Sequence, residues 1–387
     1  MSERPSPIPV ARPSLGEEEA AAAREVILSG WVTQGPQVRA FEEEFAAAFG
    51  ARHACAVSSC TTALHLALIA LGVGPGDEVV TVSHSFIATA NAVRYCGATP
   101  VFVDIDPTTY NLDPALLEAA ITPRTRAILP VHQVGMPCDL PAILAIAGRH
   151  GLPVVEDAAC AIGSEVHVAS DWQPVGRPHG AVACFSFHPR KVLTTGDGGM
   201  LTTADPALDA RFRLLRQHGM SVPDTVRHAA TQVLFEQYPE LGYNYRMTDI
   251  QAAVGRVQLR RLPAMLERRR ALAHAYTEAL GGAPGLCPPA VPPWARPNFQ
   301  SYPVRVDPGY PLSRDALMQL LLDQGISTRR GIMNAHQEPA CAGIAHGPLP
   351  RSESARDAVL LLPLYDAMTP GDQGRVVHAL LAPLASR

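Results

Sequence analysis

The stretch from Val182 to Gly199 reads Val-Ala-Cys-Phe-Ser-Phe-His-Pro-Arg-Lys-Val-Leu-Thr-Thr-Gly-Asp-Gly-Gly. Its apolar run up to Phe187 predicts a buried strand, which Pro189 ends. Lys191 stands just past that strand, at the place where an α/β sheet usually builds its site. The glycines that follow let the backbone come close to a ligand. Lys191 is therefore a candidate functional residue, although a lysine in a loop is usually a surface residue.

A second apolar run, Leu152-Pro153-Val154-Val155, leads directly into Glu156-Asp157-Ala158-Ala159. It predicts another buried strand with an acid at its carboxyl end. A pyridoxal phosphate site needs an amine to form the Schiff base and a carboxylate to hold the pyridinium proton. Lys191 and Asp157, at the ends of two predicted strands, are therefore a candidate pair for such a site.

Outside these runs, the chain up to about residue 255 alternates predicted helices with predicted strands. Apolar spacing predicts helices at 15–28, 36–49, 61–71, 86–95, 114–120 and 140–150, and strands at 53–57, 78–82, 101–103, 127–131 and 153–156. This alternation is typical of an α/β sheet covered by helices on both faces. Beyond it, an arginine-rich helix (256–276), an extended segment (301–306) and helices at 313–324 and 370–381 predict a smaller α+β domain. We therefore predict a large domain, 14–255, and a small domain, 256–387, which residues 1–13 could join.

The composition argues against several classes of protein. The 387 residues are 47% hydrophobic and 18% charged, which is typical of a globular chain. A net charge of −4 gives no electrostatic reason to bind nucleic acid or an anionic membrane, and no apolar run is long enough for a spanning helix. The eight cysteines include no CxxC pair, and the N-terminus lacks the apolar core of a signal peptide. We therefore expect a cytoplasmic protein with reduced cysteines and no metal site.

Other stretches offer groups for a phosphate and for a flat ring. Residues 58–62, Ser-Ser-Cys-Thr-Thr, lie between a predicted strand and a predicted helix, where they could simply cap the helix or hold a phosphate at its start. Ser186 could add a hydroxyl to that phosphate, or be an ordinary buried serine. Phe86 follows a predicted strand and could stack on a flat cofactor, although such a ring is more often part of the core.

Taken together, these stretches resemble one family, the DegT/DnrJ/EryC1/StrS sugar aminotransferases, which are fold-type-I pyridoxal phosphate enzymes. The shared order and spacing of the motifs make the resemblance specific, and it runs almost from end to end. The motifs lie at residues 30–36, 58–68, 85–92, 129–132, 156–159, 185–191, 242–247 and 361–365. The resemblance implies an aspartate aminotransferase-like α/β fold, with a mostly parallel seven-stranded sheet in the large domain and a smaller C-terminal α+β domain.

The resemblance also implies roles for individual residues around the cofactor. Lys191 would be the Schiff-base lysine, Asp157 would hold the ring nitrogen, and Phe86 would stack on the ring. The residues that would contact the phosphate from the same subunit are Cys60, Thr61 and Ser186. The expected cofactor is therefore pyridoxal 5'-phosphate.

Further roles follow because the family works as a homodimer with its active sites at the subunit interface. Asn244 of the partner subunit would reach the phosphate, and Thr33 and His336 would lie near the sugar-nucleotide pocket. The chain departs from the family at Cys160, where a glutamine that touches the cofactor often stands. Because cysteine is a poor hydrogen-bond partner, we expect that contact to be weakened while cofactor binding survives.

The resemblance implies a two-stage transamination. An amino acid, L-glutamate by the habit of the family, would displace Lys191 from its aldimine and leave pyridoxamine phosphate. A keto sugar linked to a nucleoside diphosphate would then take the amine, in the biosynthesis of amino sugars for a polysaccharide or an antibiotic. One alternative is a pyridoxamine-dependent sugar dehydratase, but those relatives carry histidine in place of Lys191. Another is a non-catalytic, regulatory protein that binds pyridoxal phosphate, although no basic patch or DNA-binding helix pair supports it.

Overall fold

The computed structural model describes residues 6–222, 227 and 230–385. Its helices are α1 (Glu17–Ser29), α2 (Pro36–Phe49), α3 (Cys60–Ala70), α4 (Ala88–Tyr95), α5 (Pro114–Leu117), α6 (Leu140–His150), α7 (Pro206–Leu215), α8 (Asp249–Leu280), α9 (Arg314–Asp323), α10 (Pro350–Ala358) and α11 (Pro370–Ala385). Its strands are β1 (His53–Val57), β2 (Glu78–Val82), β3 (Thr99–Val103), β4 (Thr125–Leu129), β5 (Val155–Asp157), β6 (Glu165–Val168), β7 (Asp171–Pro174), β8 (Val182–Ser186), β9 (Gly199–Thr203), β10 (Leu286–Cys287), β11 (Ala295–Arg296), β12 (Tyr302–Val306), β13 (Arg329–Arg330) and β14 (Val359–Leu362).

Two groups of strands from residues 53–203 meet edge to edge. One group has the order β3-β2-β4 and is parallel throughout. The other has the order β1-β9-β8-β5, in which β5 and β8 are parallel and β9 runs antiparallel to both of its neighbours. Parallel bridges from Ile128 to Val154 and from Val131 to Asp157 join the two groups. The prediction of an α/β fold is confirmed, and the carboxyl ends of β2, β4, β5 and β8 lie along one edge.

The alternation of side chains along β8 fixes which face of the sheet each residue serves. Phe185 and Phe187 are fully buried, and the ring of Phe185 lies 5.2 Å from that of Phe45 on α2. Cys184 packs on the opposite face, in the apolar cluster that includes α3. Since successive side chains of a strand point to opposite faces, Ser186 lies on the α3 side. Each buried ring stabilises this arrangement by about 1.5–3 kcal/mol relative to an exposed one.

The C-terminal part of the chain has a sheet of its own, with the order β10-β12-β14-β13 and antiparallel pairing throughout. Its core is formed by residues such as Tyr276, Tyr302 and Leu360. The N-terminal segment joins this core, because Ile8 is buried and pairs with Ile326. The predicted boundary between residues 255 and 256 falls inside the 32-residue helix α8, and the division into two domains stays a prediction.

One region contains structure that the sequence did not predict. β6 and β7 form an antiparallel hairpin, which extends to β11 through the pairs Ala295–Val166 and Arg296–Glu165. The guanidinium of Arg296 lies 3.8 Å from the ring centroid of Trp172 on this hairpin. Within the described ranges, no helix has both the length and the apolar character needed to cross a membrane.

Candidate active site

The ends of β5 and β8 bring together the two residues that the sequence singled out. Asp157 is the last residue of β5 and pairs in register with Cys184 of the parallel strand β8. Beyond β8 the chain turns, with the Lys191 N–H donating to the His188 carbonyl at 2.8 Å. The hydroxyl of Thr194 donates to the Phe187 carbonyl at 2.8 Å and holds the loop against the strand end. The lysine loop is therefore held beside the carboxyl end of the sheet by a backbone bond and by the Thr194 side chain.

The Lys191 amine lies against Cys160 inside this edge. Its Nζ donates a hydrogen bond to the Cys160 Sγ at 3.0 Å. Burial disfavours the charged amine, but Cys160, Cys60 and Asp157 outweigh burial and raise the pKa of Lys191 above its usual value. The charge of Asp157 therefore acts on the Lys191 amine, while Cys160 is the direct hydrogen-bond partner of that amine.

The Asp157 carboxylate is buried and only partly satisfied by neutral donors. Its Oδ2 accepts from the Thr89 hydroxyl at 2.8 Å, and its Oδ1 accepts from the Ala159 N–H at 3.2 Å. Since the Thr89 proton is used in that bond, the Ser85 hydroxyl donates to Thr89, at 2.7 Å. Burial raises the pKa of Asp157 against the effect of these donors and of Lys191. A protonated pyridinium nitrogen is a group that would offset this cost, because it brings the opposite charge.

The start of α3 supplies the features of a phosphate site. Ser59 caps the helix by accepting from the Thr62 N–H at 3.2 Å, so the N–H groups of Cys60 and Thr61 begin the first turn. Free N–H groups and the helix dipole make such a terminus favourable for an anion. Gly199 allows the next strand to approach, since a Cβ there would lie 2.5 Å from the Ser59 carbonyl. Ser186 faces the same side of the sheet as this helix start.

Phe86 directly follows Ser85 and lies two residues before the start of α4. It is 63% exposed, which is unusual for a phenylalanine next to a buried strand end. The predicted helix start at Phe86 is shifted in the structure, where α4 begins at Ala88. An exposed ring that follows Ser85, whose hydroxyl bonds to the Thr89 partner of Asp157, fits the predicted stacking on a flat cofactor, which stays a prediction.

The two residues expected near a sugar-nucleotide pocket lie on loops that are anchored to the large sheet or its helices. The Nδ1 of His336 and the hydroxyl of Ser83 share a hydrogen bond of 2.6 Å, and Ser83 is the first residue past the end of β2. Thr33 is exposed, and its carbonyl accepts from the Asp249 N–H at 3.1 Å. The Asp249 carboxylate in turn accepts from the Gly35 N–H at 2.8 Å, so it ties the Thr33 loop to the start of α8. Their contact with a substrate stays a prediction.

Asn244 is exposed on a loop that runs beside β1. The neighbouring Tyr245 carbonyl accepts from the Ser58 N–H at 2.8 Å, which places this loop next to the start of α3. The Asn244 side chain accepts from the Arg246 Nε at 3.2 Å. Its predicted action on the phosphate of the other subunit is not tested by one chain.

Sequence reasoning missed several residues that support the site. Thr89 and Ser85 were part of a recognised motif without an assigned role, and no helical pattern paired them, because Ser85 precedes both the predicted helix and α4. His132 is fully buried and donates from Nε2 to Glu156 at 3.1 Å, because its Nδ1 accepts from the Cys138 N–H. Its backbone N–H donates to the Asp157 carbonyl at 3.1 Å and fixes the strand end.

The residues present therefore fit pyridoxal phosphate on independent grounds. A partly buried amine, a buried carboxyl whose direct hydrogen-bond donors are neutral, an exposed ring and a helix start lie around one edge of the sheet. Fold and site together define a class of protein, the α/β enzymes that depend on this cofactor.

The chain belongs to the DegT/DnrJ/EryC1/StrS aminotransferase family, whose model matches residues 13–381. The resemblance stated from the sequence is thereby confirmed, as is the prediction of an enzyme that is a sugar aminotransferase. The match includes every residue assigned to the site.

Relatives agree with this assignment over nearly the whole chain. The spore coat polysaccharide biosynthesis protein SpsC of Bacillus subtilis (strain 168) is 42% identical over 378 residues, which cover 96% of each chain. The structure of DesI in the presence of its TDP-sugar product is 34% identical, with a TM-score of 0.87, and the match covers 99% of this chain and 94% of DesI. Spr1654 of Streptococcus pneumoniae, in its PMP-form, is 27% identical with a TM-score of 0.91, over 98% of this chain and 99% of Spr1654. Spr1654 is also known in a PLP-form. The two forms indicate that enzymes of this family depend on pyridoxal phosphate.

Proposed function

We propose that this protein uses pyridoxal phosphate to move an amino group from L-glutamate to a keto sugar linked to a nucleoside diphosphate. The observation that carries the proposal is the placement of the Lys191 amine and the buried Asp157 carboxyl at the ends of neighbouring strands. An amine and a carboxylate are the two groups that a pyridoxal phosphate site needs.

The side chains divide the work of binding and proton transfer. Pyridoxal phosphate, when bound, supplies an electron-accepting ring that stabilises a carbanion next to nitrogen. Asp157 holds a proton at the ring nitrogen, and the Thr89 hydroxyl orients the carboxylate. Lys191 binds the cofactor and then moves a proton at the substrate carbon, a role that typically contributes about 10²–10⁴-fold to a rate. Cys60, Thr61 and Ser186 bind the phosphate, and Phe86 covers one face of the ring.

The acceptor is proposed from the relatives. DesI has a TDP-sugar product, and SpsC is a polysaccharide biosynthesis protein. A nucleotide-linked keto sugar in amino-sugar biosynthesis for a polysaccharide is the acceptor that suits both. Thr33 and His336 are the residues that we place against it, with pyridoxamine phosphate as the form that donates the amine. The eight cysteines are all free, which agrees with a cytoplasmic location.

We further propose a homodimer in which Asn244 of the partner subunit completes each site. The segment 233–241 carries apolar side chains that are largely exposed, among them Val233 (79%), Phe235 (87%) and Leu241 (81%). Such a concentration of exposed apolar groups is typical of a protein–protein contact. The segment leads directly to Asn244, which follows Tyr243 and precedes Tyr245 along the chain, and the rings of these two tyrosines stack on each other with centroids 5.0 Å apart. A partner that covers the segment would therefore bring Asn244 to the interface.

The test is a pair of separated half-reactions followed by absorbance. L-Glutamate, added to the cofactor-loaded enzyme without a keto sugar, is expected to remove the visible absorbance and release one equivalent of 2-oxoglutarate per site. A TDP-linked keto sugar, added next, is expected to restore the visible absorbance. The Lys191→Ala variant serves as the control and is expected to show neither change at the wild-type rate.

Three results would count against parts of the proposal. A protein that takes up no pyridoxal phosphate overturns the site around Lys191 and Asp157. A loaded protein that responds to another amino acid but never to L-glutamate overturns the donor alone. A loaded protein that responds to no amino donor overturns the aminotransferase function in this chain.

A further inference from the structure

A short segment from the C-terminal part of the chain reaches the turn that follows Asp157. The segment, residues 298–301, lies between β11 and β12, and we call it the strap. The side-chain amide of Asn298 donates to the Cys160 carbonyl at 2.9 Å and to the Ile162 carbonyl at 2.8 Å. Because both partners are carbonyls, the amide nitrogen and not the oxygen must face them. Asn298 is fully buried, so the turn is bound to the strap by two bonds that water does not reach.

The same strap contacts the loop that carries Lys191. The side-chain amide of Gln300 donates to the Arg190 carbonyl at 2.8 Å. The Gln300 Oε1 accepts from the Ser301 hydroxyl at 3.0 Å, which orients the amide nitrogen toward Arg190. Lys191 follows Arg190 directly, and its Nζ donates to the Cys160 Sγ at 3.0 Å. The lysine loop and the turn that its amine contacts are therefore both bound to one segment.

The backbone of the strap is held by Arg269 of α8. The Arg269 Nε donates to the Phe299 carbonyl at 3.2 Å, and its Nη2 donates to the Gln300 carbonyl at 2.7 Å. The same Nη2 donates to the Leu364 carbonyl at 3.2 Å, just past β14, and Arg269 is buried. The strap itself leads into β12, the neighbour of β14. The C-terminal sheet is therefore joined to both loops of the candidate active site through the strap.

Two residues where the strap meets the large sheet have left-handed backbone. Phe299 has a φ of 50°, and Val134, which follows β4, also has a φ of 50°. The Ser301 N–H donates to the Val134 carbonyl at 3.4 Å, so the two strained segments are in contact. This conformation is disfavoured for phenylalanine and still more for a β-branched valine, and it persists only where the surroundings impose it. Since strained backbone is concentrated at active sites and ligand clamps, the contact points to a role beyond packing.

We propose that the strap positions the Lys191 amine relative to the Asp157 carboxyl. Asn298 holds the turn that follows the carboxyl, and Gln300 holds the loop that precedes the amine. Both act through backbone carbonyls and touch neither cofactor nor substrate, so they are positioning residues. A displacement of about 1 Å at reacting groups can cost about 10²-fold in rate. The effect on the reaction rests on the proposed function, whereas the holding of the two loops does not.

The first experiment measures hydrogen exchange of backbone amides in the cofactor-free protein. Gln300→Met keeps the length of the side chain and removes its donor. It is expected to speed exchange in residues 190–196 by about two- to tenfold, the factor that corresponds to the net contribution of one hydrogen bond. Asn298→Ala is expected to speed exchange in residues 158–164 instead. If Asn298→Ala does not fold, Gln300→Met decides by itself, because its bond lies at the surface.

The matched control is Gln373→Met. Gln373 donates the same kind of bond, from its side-chain amide to the Leu272 carbonyl at 2.7 Å, between α11 and α8. This variant is expected to leave exchange in residues 190–196 at the wild-type rate. An equal increase in Gln300→Met and Gln373→Met would show a general loss of stability and overturn the proposal. A Gln300→Met protein that exchanges like wild type in residues 190–196 overturns it as well.

A second experiment measures what the strap does to the amine. Pyridoxal phosphate is added to the cofactor-free protein, its covalent product with Lys191 is reduced with borohydride at successive times, and the product is quantified by peptide mass spectrometry. Gln300→Met is expected to slow attachment by about two- to tenfold, and Gln373→Met is expected to match wild type. Attachment to Gln300→Met at the wild-type rate would contradict the positioning of the amine.

The same variant separates positioning from substrate binding in the loaded enzyme. With L-glutamate, the single-turnover rate of Gln300→Met is expected to fall while the half-saturating concentration of L-glutamate stays unchanged, because the strap does not touch the donor. A raised half-saturating concentration at an unchanged rate would place Gln300 against the donor and overturn the positioning role. A wild-type enzyme that does not respond to L-glutamate is a failure of the proposed function, and the exchange and attachment rates still decide whether the strap holds the two loops.

Discussion

Asp157 is buried at a sheet edge, and its immediate neighbours decide whether its carboxyl carries a charge. The Thr89 hydroxyl and the Ala159 N–H favour the charged form, and burial opposes it with the larger effect. A cofactor with a protonated ring nitrogen would reverse this balance, because the opposite charge would come within hydrogen-bond distance. In the cofactor-free protein, the raised pKa of Asp157 has a consequence for stability.

The pH dependence of stability should report the raised pKa of Asp157. A carboxyl whose folded pKa is raised stabilises the fold below its unfolded pKa, and that stabilisation is lost as the pH rises through the folded pKa. The free energy of unfolding of wild type minus that of Asp157→Asn is therefore expected to fall as the pH rises above about 4. Urea denaturation of the two cofactor-free proteins measures it. A difference that stays constant with pH would contradict the raised pKa.

Thr89 offers a second test at the same scale. Thr89→Val keeps the shape of the side chain but removes the hydroxyl that donates to Asp157, so a buried carboxyl and Ser85 each lose a partner. The variant is expected to lose about 1–3 kcal/mol of unfolding free energy and to bind pyridoxal phosphate more weakly. Thr89→Ser, which retains the hydroxyl, is the control. Equal behaviour of the two variants in denaturation and cofactor titration would remove Thr89 from the site.

At the scale of elements, the start of α3 and the start of β9 lie in direct backbone contact. This contact holds the start of α3 on the side of the sheet that Ser186 of β8 also faces. It depends on the absence of a side chain at Gly199, since a Cβ would lie 2.8 Å from the Cys60 nitrogen. The phosphate site is therefore built by the packing of two elements and not by α3 alone.

Gly199→Ala should separate this packing from helix formation. Neither backbone can move without disturbing the sheet, so we expect a loss of about 1–3 kcal/mol in unfolding free energy. We also expect the Kd for pyridoxal phosphate to rise about tenfold, which corresponds to about 1.4 kcal/mol. Gly74→Ala is the control, because a Cβ there meets no atom within 4 Å. A Gly199→Ala protein with unchanged cofactor affinity would contradict the phosphate assignment.

Several elements followed from local sequence pattern and others did not. α2, β1, β2 and α6 have the predicted bounds, because their apolar spacing and their Pro or Gly ends are strong local signals. The hairpin β6–β7 was not predicted, since Asp171-Trp172-Gln173-Pro174 shows no apolar alternation. Its stability comes from pairing with β11, which is more than 100 residues away along the chain, and from the contact between Trp172 and Arg296.

At the scale of the whole molecule, the proposed role of Asn244 requires a second subunit. One chain places the Asn244 loop beside Ser58, next to the start of α3. The exposed apolar segment 233–241 just before it favours a contact with a second copy of the chain. A site shared between subunits can be restored by mixing two variants that are each inactive, whereas a site within one subunit cannot.

Mixing two inactive variants tests that property. In a dimer of Lys191→Ala with Asn244→Ala, one site would contain both intact residues if Asn244 acts across the interface. Random exchange of subunits should then restore about a quarter of the wild-type sites, measured as release of 2-oxoglutarate from L-glutamate. Each variant alone is expected to stay inactive. No recovery after mixing, in protein shown to be dimeric and exchanged, would place Asn244 in the same subunit as Lys191 or outside the site.

The sequence by itself determined the class of fold and singled out the two residues that we propose as central to the site. Periodicity, strand ends and motif order depend on neighbours along the chain, so Lys191 and Asp157 could be identified without a structure. Only the tertiary structure decided which side chains meet them. The bonds from Thr89 to Asp157 and from Lys191 to Cys160 join residues 68 and 31 positions apart. Such contacts are set by the packing of helices on the sheet, and local sequence pattern contains no record of them.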